Sequence, residues 1–307
     1  MDLFDLHCDT LVKYRELGEG FLCGDTQFSL REKEGLGRMC QTMAVFVPDR
    51  LRGREAEAYF DSHCAYLKEL LKREEDLAAQ VWGAGDIERI TGEGRLAVIL
   101  SVESGAALGG RLERVEELYR QGVRFMTLVW NGENELGSGH DTEKGLTEFG
   151  RRAVRRMEEL KMVVDVSHLN DRGFEDLCET ASRPFVATHS NLRSVAGHRR
   201  NLREDQFKEI VRRQGLVGVN LYKRFLDDEG RGTRESLYRH IYRMLELGGE
   251  DVIACGSDFD GADIGEELDS PAKLASMAEE LLARGIRETV VNKIFFGNAL
   301  KFCQRNL

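Results

Sequence analysis

Proline is nearly missing, at three in 307 residues. That leaves little room for a proline-rich linker, and no Pro/Gly/Ser-rich or low-complexity tract divides the chain. No stretch approaches the roughly 20 apolar residues of a membrane span. The opening MDLFDLHCDT has no basic segment followed by a long apolar run, so no secretory signal is expected and the expected location is cytoplasmic. Seven cysteines (8, 23, 40, 64, 178, 255 and 303) never form C-x-x-C, and in a reducing compartment they read as small buried hydrophobes. Excess positive charge is also lacking. The formal net charge is −10, and GHRRNLR (197–203) stands out as a dense basic stretch. An acidic surface repels phosphate backbones, which argues against nucleic acid as a partner. No glycine-rich phosphate loop follows the first apolar run, which counts against a doubly wound open sheet.

What is present is a rhythm. Eight apolar runs of strand length recur at 3–11, 41–48, 96–104, 124–131, 162–169, 184–191, 215–222 and 252–259. They are nearly continuous in apolar residues, as strands covered on both faces must be. Amphipathic stretches lie between them at 54–80, 111–122, 147–161, 203–215 and 233–249, and follow the last at 270–285 and 287–303. In the first of these Phe60, Cys64, Leu67 and Leu71 recur at helical steps, and the stretch at 270 opens Ser-Pro, a helix-start signature. Eight β-then-α units predict an α/β fold, a (β/α)8 TIM barrel of the metal-dependent hydrolase type, spanning 1–307 as one catalytic domain. Residues 12–40 are expected as an insertion after the first strand and 130–145 as a long polar loop after the fourth.

Barrel enzymes take their catalytic residues from the carboxyl ends of strands. Those ends carry unusual residues here. The first run holds His7 and Asp9, the third Glu103, the fifth His168, the sixth His189, and the eighth Asp258 and Asp260. His63 and His240 lie inside charged helical stretches and read as packing or surface residues. Three histidines with two or three carboxylates exceed the three protein ligands of a one-zinc catalytic site. They suit two metals, one at His7 and Asp9, the other at His168 and His189, with Glu103 bridging. A hydroxide held between the ions would be the nucleophile. Mixed imidazole and carboxylate ligands favour zinc, with manganese, cobalt or iron as alternatives. Asp258 is either a sixth ligand or a general base and acid, the second being preferred. Asp260 alternates to the other side and reads as structural.

The ordered set DLHCDTL, SVESG, DVSHLND, THSNLRSVAGHRRNL, GVNLY, GSDFDG and GNALKFC resembles the membrane (renal-type) dipeptidases of the amidohydrolase superfamily. The resemblance spans nearly the whole chain. It implies a binuclear zinc peptidase cleaving dipeptides, often tolerant of a D-residue at the C-terminal position, with His7, Asp9, Glu103, His168 and His189 as metal ligands and Asp258 as the proton-transfer residue. Arg200 matches the arginine that pairs with the substrate's terminal carboxylate, a group its planar guanidinium can bind bidentately. Asn220 and Tyr222 are expected to line the pocket, and relatives suggest a homodimer. One departure is plain: relatives carry a carbonyl-polarising histidine where this chain has Trp130. Trp130 then shapes the pocket wall, and polarisation falls to the metal or to a loop residue such as Asn131 or His140. Another amidohydrolase-superfamily reaction (on an N-acyl amino acid, lactone or phosphoester) and a non-catalytic sensor are the competing expectations.

Overall fold

The protein is described by a computed structural model covering residues 1–33 and 35–307. Its strands are β1 (Leu3–Cys8), β2 (Met39–Phe46), β3 (Ala78–Gln80), β4 (Leu96–Glu103), β5 (Val123–Thr127), β6 (Val163–Asp165), β7 (Val186–Ala187), β8 (Leu216–Val219) and β9 (Ile253–Cys255). All pairings between them are parallel. Eight close a ring in the order β1-β2-β4-β5-β6-β7-β8-β9 and back to β1, while β3 pairs with the first residues of β4 outside it. The fold is a (β/α)8 barrel, as the alternation predicts.

Among the helices, two stretches depart most from the sequence reading. The helix expected over 54–80 stops early: α1 is Thr10–Leu17, α2 is Gly53–Arg73, and 78–80 is strand β3. A charged run, REED, carries the helical pattern past the true end, and a three-residue strand is too short to show a period of its own. The closing helix is interrupted by a π turn at Lys293–Gly297 before resuming as Asn298–Asn306. There Asn298 Nδ2 donates to the carbonyls of Ile253 (2.8 Å) and Glu250 (2.9 Å), pinning the C-terminal segment to β9.

Burial explains the layering. On α2, Phe60, Cys64, Leu67 and Leu70 are buried and join Met43, Val45, Leu100 and Val102 in one large core. Each such side chain contributes about 1.5–3 kcal/mol when taken fully out of water. A second cluster gathers residues from early in the strands, including Phe4, Phe125, Val186 and Leu216, with Phe296 and Phe302 from the C-terminal helices. It packs one end of the barrel with hydrocarbon. The carboxyl ends of the strands are left for polar groups.

The segment after β1 folds back over that polar end. Asp260 accepts from the backbone N–H of Gln27 (2.8 Å) and from the Thr10 hydroxyl (2.5 Å), while Gln27 Oε1 accepts from Asp260 N (2.6 Å). Glu74, just past α2, accepts from Phe21 N at 2.9 Å. The loop after β5 is held by Asn134, which donates to the Leu128 carbonyl (2.9 Å) and accepts from Leu136 N (2.8 Å).

Candidate metal centre

Polar side chains at the barrel mouth are set by backbone that has left the ladder. The β1 strand ends at Cys8, so Asp9 is delivered by the start of α1 and not by strand alternation. Past the ladder, Asp9 N donates to the Phe259 carbonyl (2.9 Å) and Asp258 N to the His7 carbonyl (3.1 Å), locking the first and last strands together. Ser104, His168, Asp258 and Asp260 all adopt positive φ, between 64° and 86°. For residues other than glycine this conformation is strained, and strain of that kind concentrates at functional sites.

Asp165, the last residue of β6, organises its neighbours. It accepts from Ser167 N (2.9 Å), Thr188 N (3.0 Å) and Thr127 Oγ1 (2.9 Å), and from the Thr188 hydroxyl. With its proton given to Asp165, Thr188 Oγ1 accepts from His189 Nδ1 at 2.8 Å. The Asn131 amide oxygen likewise accepts from His168 Nδ1 at 3.0 Å. Both imidazoles therefore keep the proton on Nδ1 and present a bare Nε2. The two Nε2 atoms face each other at 3.0 Å. Two lone pairs at that distance repel unless a proton or cation lies with them.

The other half has the same need. His7 Nε2 lies 3.3 Å from Glu103 Oε2, 3.6 Å from Asp9 Oδ2 and 3.9 Å from Asp258 Oδ1. His7 Nε2, Asp9 Oδ1 and Glu103 Oε2 are buried without a hydrogen-bond partner. Glu103 Oε1 points to the second half, 2.8 Å from His168 Nε2 and 3.9 Å from His189 Nε2. Three overlapping groups result, each with ligand atoms close enough to share one ion: His7, Asp9 and Glu103; Glu103, His168 and His189; and His7, His189 and Asp258. The donor set and its orphaned atoms fit divalent cations.

Protonation follows from the crowding. Burial, then the Asp9 charge, pushes the Glu103 carboxyl up to about 8. Burial also raises Asp258 and holds His168 and His189 well below the usual imidazole range. Burial opposes charge on His7 too, but the adjacent Asp9 and Glu103 carboxylates outweigh it and raise the imidazole well above its ordinary value. A metal-free site at pH 7 thus holds a proton within the Glu103–His7 pair that a cation must displace. Metal binding at pH 7 is expected to release at least one proton per chain. The release should shrink as pH rises above about 8, where Glu103 is already ionised. Calorimetric titration of the metal-free protein in buffers of different ionisation enthalpy measures it, and a release independent of pH would contradict this reading.

Above the cluster lies a cavity of about 520 Å³, lined among others by Asp9, Glu103, His168, Asp258, Trp130 and Tyr222. A profile of the membrane dipeptidase family (peptidase family M19) matches residues 1–306. The chain belongs to this family. It is a metal-dependent dipeptidase. An uncharacterized protein of Klebsiella pneumoniae encoded in the pqqA 5′ region is 34% identical over 249 residues, 77% of this chain and 92% of that protein. A metallopeptidase from Rhodobacter sphaeroides, liganded with a phosphinate mimic of the dipeptide L-Ala-D-Ala, superposes with a TM-score of 0.93 at 26% identity. That match covers 100% of this chain and 99% of the other. Dipeptidase AC, a metallopeptidase of family M19, also gives 0.93 at 27% identity, covering 100% of this chain and 98% of the other. Despite the family's name, no helix among the described residues is long and apolar enough to cross a membrane.

Against this dipeptidase background, the residues expected to touch substrate divide. Trp130 and Tyr222 line the cavity, and Trp130 packs on Phe46 with ring centroids 4.7 Å apart. Asn220 does not line it. The residue is fully buried, with Nδ2 donating to Asp258 Oδ2 (2.9 Å) and Oδ1 accepting from Tyr222 N (2.6 Å), so it positions Asp258. Arg200 is also buried behind the wall, 4% exposed, with Nη1 on Ser190 Oγ (2.8 Å) and Nη2 on the His189 carbonyl (3.1 Å). Burial lowers its guanidinium to about 10, and its Nε has no partner. Lining the cavity in front are His140, His198 and Phe225. His198 and Phe225 escape the sequence reading because neither stands at a strand end. The one signal was position, His198 two residues before Arg200 in GHRRN and Phe225 three after Tyr222.

Proposed function

We propose that this dipeptidase works with two divalent cations, zinc by preference, one held by His7 and Asp9 and the other by His168 and His189, with Glu103 shared. The observation that carries the reading is the division of Glu103: Oε2 faces His7 and Oε1 faces His168. Bound there, such a cation pair supplies Lewis acidity and lowers the pKa of water to about 7. The chain's own groups do the rest. Asp258, at the cavity wall and steadied by Asn220, takes the proton of the attacking water and delivers it to the leaving amine. Phe46 and Trp130, packed on each other, give the cavity an apolar wall. Arg200 supplies positive potential from behind His140 and His198, favouring a substrate that carries a terminal carboxylate.

The L-Ala-D-Ala mimic bound by the Rhodobacter sphaeroides relative supports a D-residue at the C-terminal position as an acceptable substrate. The test is a hydrolysis screen of L-L and L-D dipeptides against N-acyl amino acids, lactones and phosphoesters, with chelated and zinc-restored protein. Dipeptides, L-D among them, are expected to be cleaved fastest, with activity lost on chelation and regained with zinc. Faster turnover of a lactone or phosphoester than of any dipeptide would reassign the reaction.

A further inference from the structure

We propose that His140 donates a hydrogen bond to the carbonyl oxygen of the peptide bond being cleaved, so that the loop after β5, not a strand end, supplies the polarising group. The inference rests on the dipeptidase reading and adds a residue to it.

His140 lines the cavity shared by Glu103, His168 and Asp258, and it is 7% exposed. Its ring centroid lies 5.9 Å from that of His168, whose Nε2 faces the cluster. Neither ring nitrogen is engaged. The Nδ1 atom is buried with no partner, and Nε2 is nearest to Asp141 Oδ1 at 3.5 Å, too far for a hydrogen bond. A buried polar group left unpaired in a folded protein asks for an explanation, and one beside a reaction cavity has an obvious candidate in the bound substrate.

Several neighbouring groups are held by other partners. The Asn131 amide oxygen is held by His168, and the Trp130 ring packs edge-on to Phe46. Two guanidinium nitrogens of Arg200 are taken by Ser190 and the His189 carbonyl. His198 uses Nδ1 to accept from Arg200 N (3.1 Å) and stands a further 6.1 Å beyond His140, ring to ring. Among the described residues that line the cavity, His140 Nδ1 is the side-chain nitrogen that is buried without a partner.

The loop is built to put it there. A Cβ on Gly139 would lie 1.9 Å from the Trp130 carbonyl and 2.5 Å from that of Asn131, so glycine alone lets the returning chain press against the end of β5's extension. Gly139 N donates to the Gly132 carbonyl (2.7 Å) and Asp141 N to the Asn131 carbonyl (3.0 Å), clamping His140 from both sides.

An imidazole carries at least one N–H in either protonation state. As the carbonyl carbon becomes tetrahedral, its oxygen gains negative charge and the N–H···O bond strengthens. Interactions stronger in the transition state than in the ground state raise kcat, not binding.

The experiment compares zinc-loaded wild type, His140→Ala and His140→Gln on a dipeptide the wild type cleaves, with metal analysis and calorimetric binding of a phosphinate dipeptide analogue. His140→Ala should lower kcat roughly 100-fold with KM within about threefold and metal content unchanged. Phosphinate affinity should fall by the same factor as kcat/KM. Gln, which keeps an N–H donor, should recover at least about tenfold of the loss. Three results would overturn the proposal: kcat within about threefold of wild type; a raised KM at constant kcat, which marks ground-state binding; or equal losses in both variants together with lost metal, which marks support of His168. A wild type that cleaves no dipeptide defeats the parent reading before any variant is compared.

Discussion

On the proposed two-cation arrangement, replacing Glu103 with Gln should abolish most activity, by a factor on the order of 10⁴, and leave one bound ion per chain or fewer. The reason is geometric. One carboxylate serves both halves of the cluster, Oε2 at 3.3 Å from His7 and Oε1 at 2.8 Å from His168. An amide keeps one acceptor oxygen and turns the other atom into a donor, which cannot share a cation with an imidazole. Stability should move the other way. The Glu103 carboxyl, raised to about 8, lies above its unfolded value of 4.5. A raised group contributes stability that is full below its unfolded pKa and lost as pH climbs through the folded one. Metal-free wild type should therefore lose stability relative to Glu103→Gln between about pH 4.5 and 8. Denaturant unfolding of both metal-free proteins across that window, beside metal analysis and dipeptide turnover, separates loss of metal from loss of fold. Two tightly held ions in the variant would dismiss the shared-carboxylate arrangement.

The barrel was legible because parallel strands buried on both faces read as unbroken apolar runs. The runs overshoot the ladder, however: 162–169 contains strand only at Val163–Asp165, and 184–191 only at Val186–Ala187. Residues beyond the ladder are as buried as those in it, Val166 at 2% and Asn191 at 0%, so hydrophobicity cannot mark where pairing stops. That overshoot is where the site is made, since His168 and His189 both lie past their strands. His7, Asp9, Glu103, His168, His189 and Asp258 could be gathered from position alone, because every strand end of a barrel faces the same mouth. Which way a buried side chain leaves that mouth could not. Arg200 turns back to Ser190 within the segment that follows β7, and Asn220 reaches across to Asp258 past the next strand, choices fixed by hydrogen bonds that no sequence period records. His198 belongs to a loop with no periodicity, and only the folded chain brings it to the cavity.

On the proposed proton-carrier role, Asp258→Asn should lower kcat by roughly 10³–10⁴ while KM stays within a few-fold, because the variant keeps the shape of the side chain and cannot accept the proton. Asp258 lies 3.9 Å from His7 Nε2 and takes the Asn220 amide on its other oxygen at 2.9 Å, so one oxygen is held and the other is free at the cavity. That arrangement suits a carrier of protons. The same residue also completes a ligand group with His7 and His189, so metal content decides between the two roles. For a proton carrier, two ions remain bound and the acid limb of the kcat/KM profile disappears, since that limb reports the group that must be ionised in the free enzyme. Burial raises the Asp258 carboxyl in the metal-free protein, and nearby cations oppose that effect, so the limb in loaded wild type should lie below the metal-free titration of this group. For a ligand, one ion is lost and excess zinc restores part of the rate. Activity rescued by zinc, with the acid limb intact, would take the proton from Asp258 and leave another group to carry it.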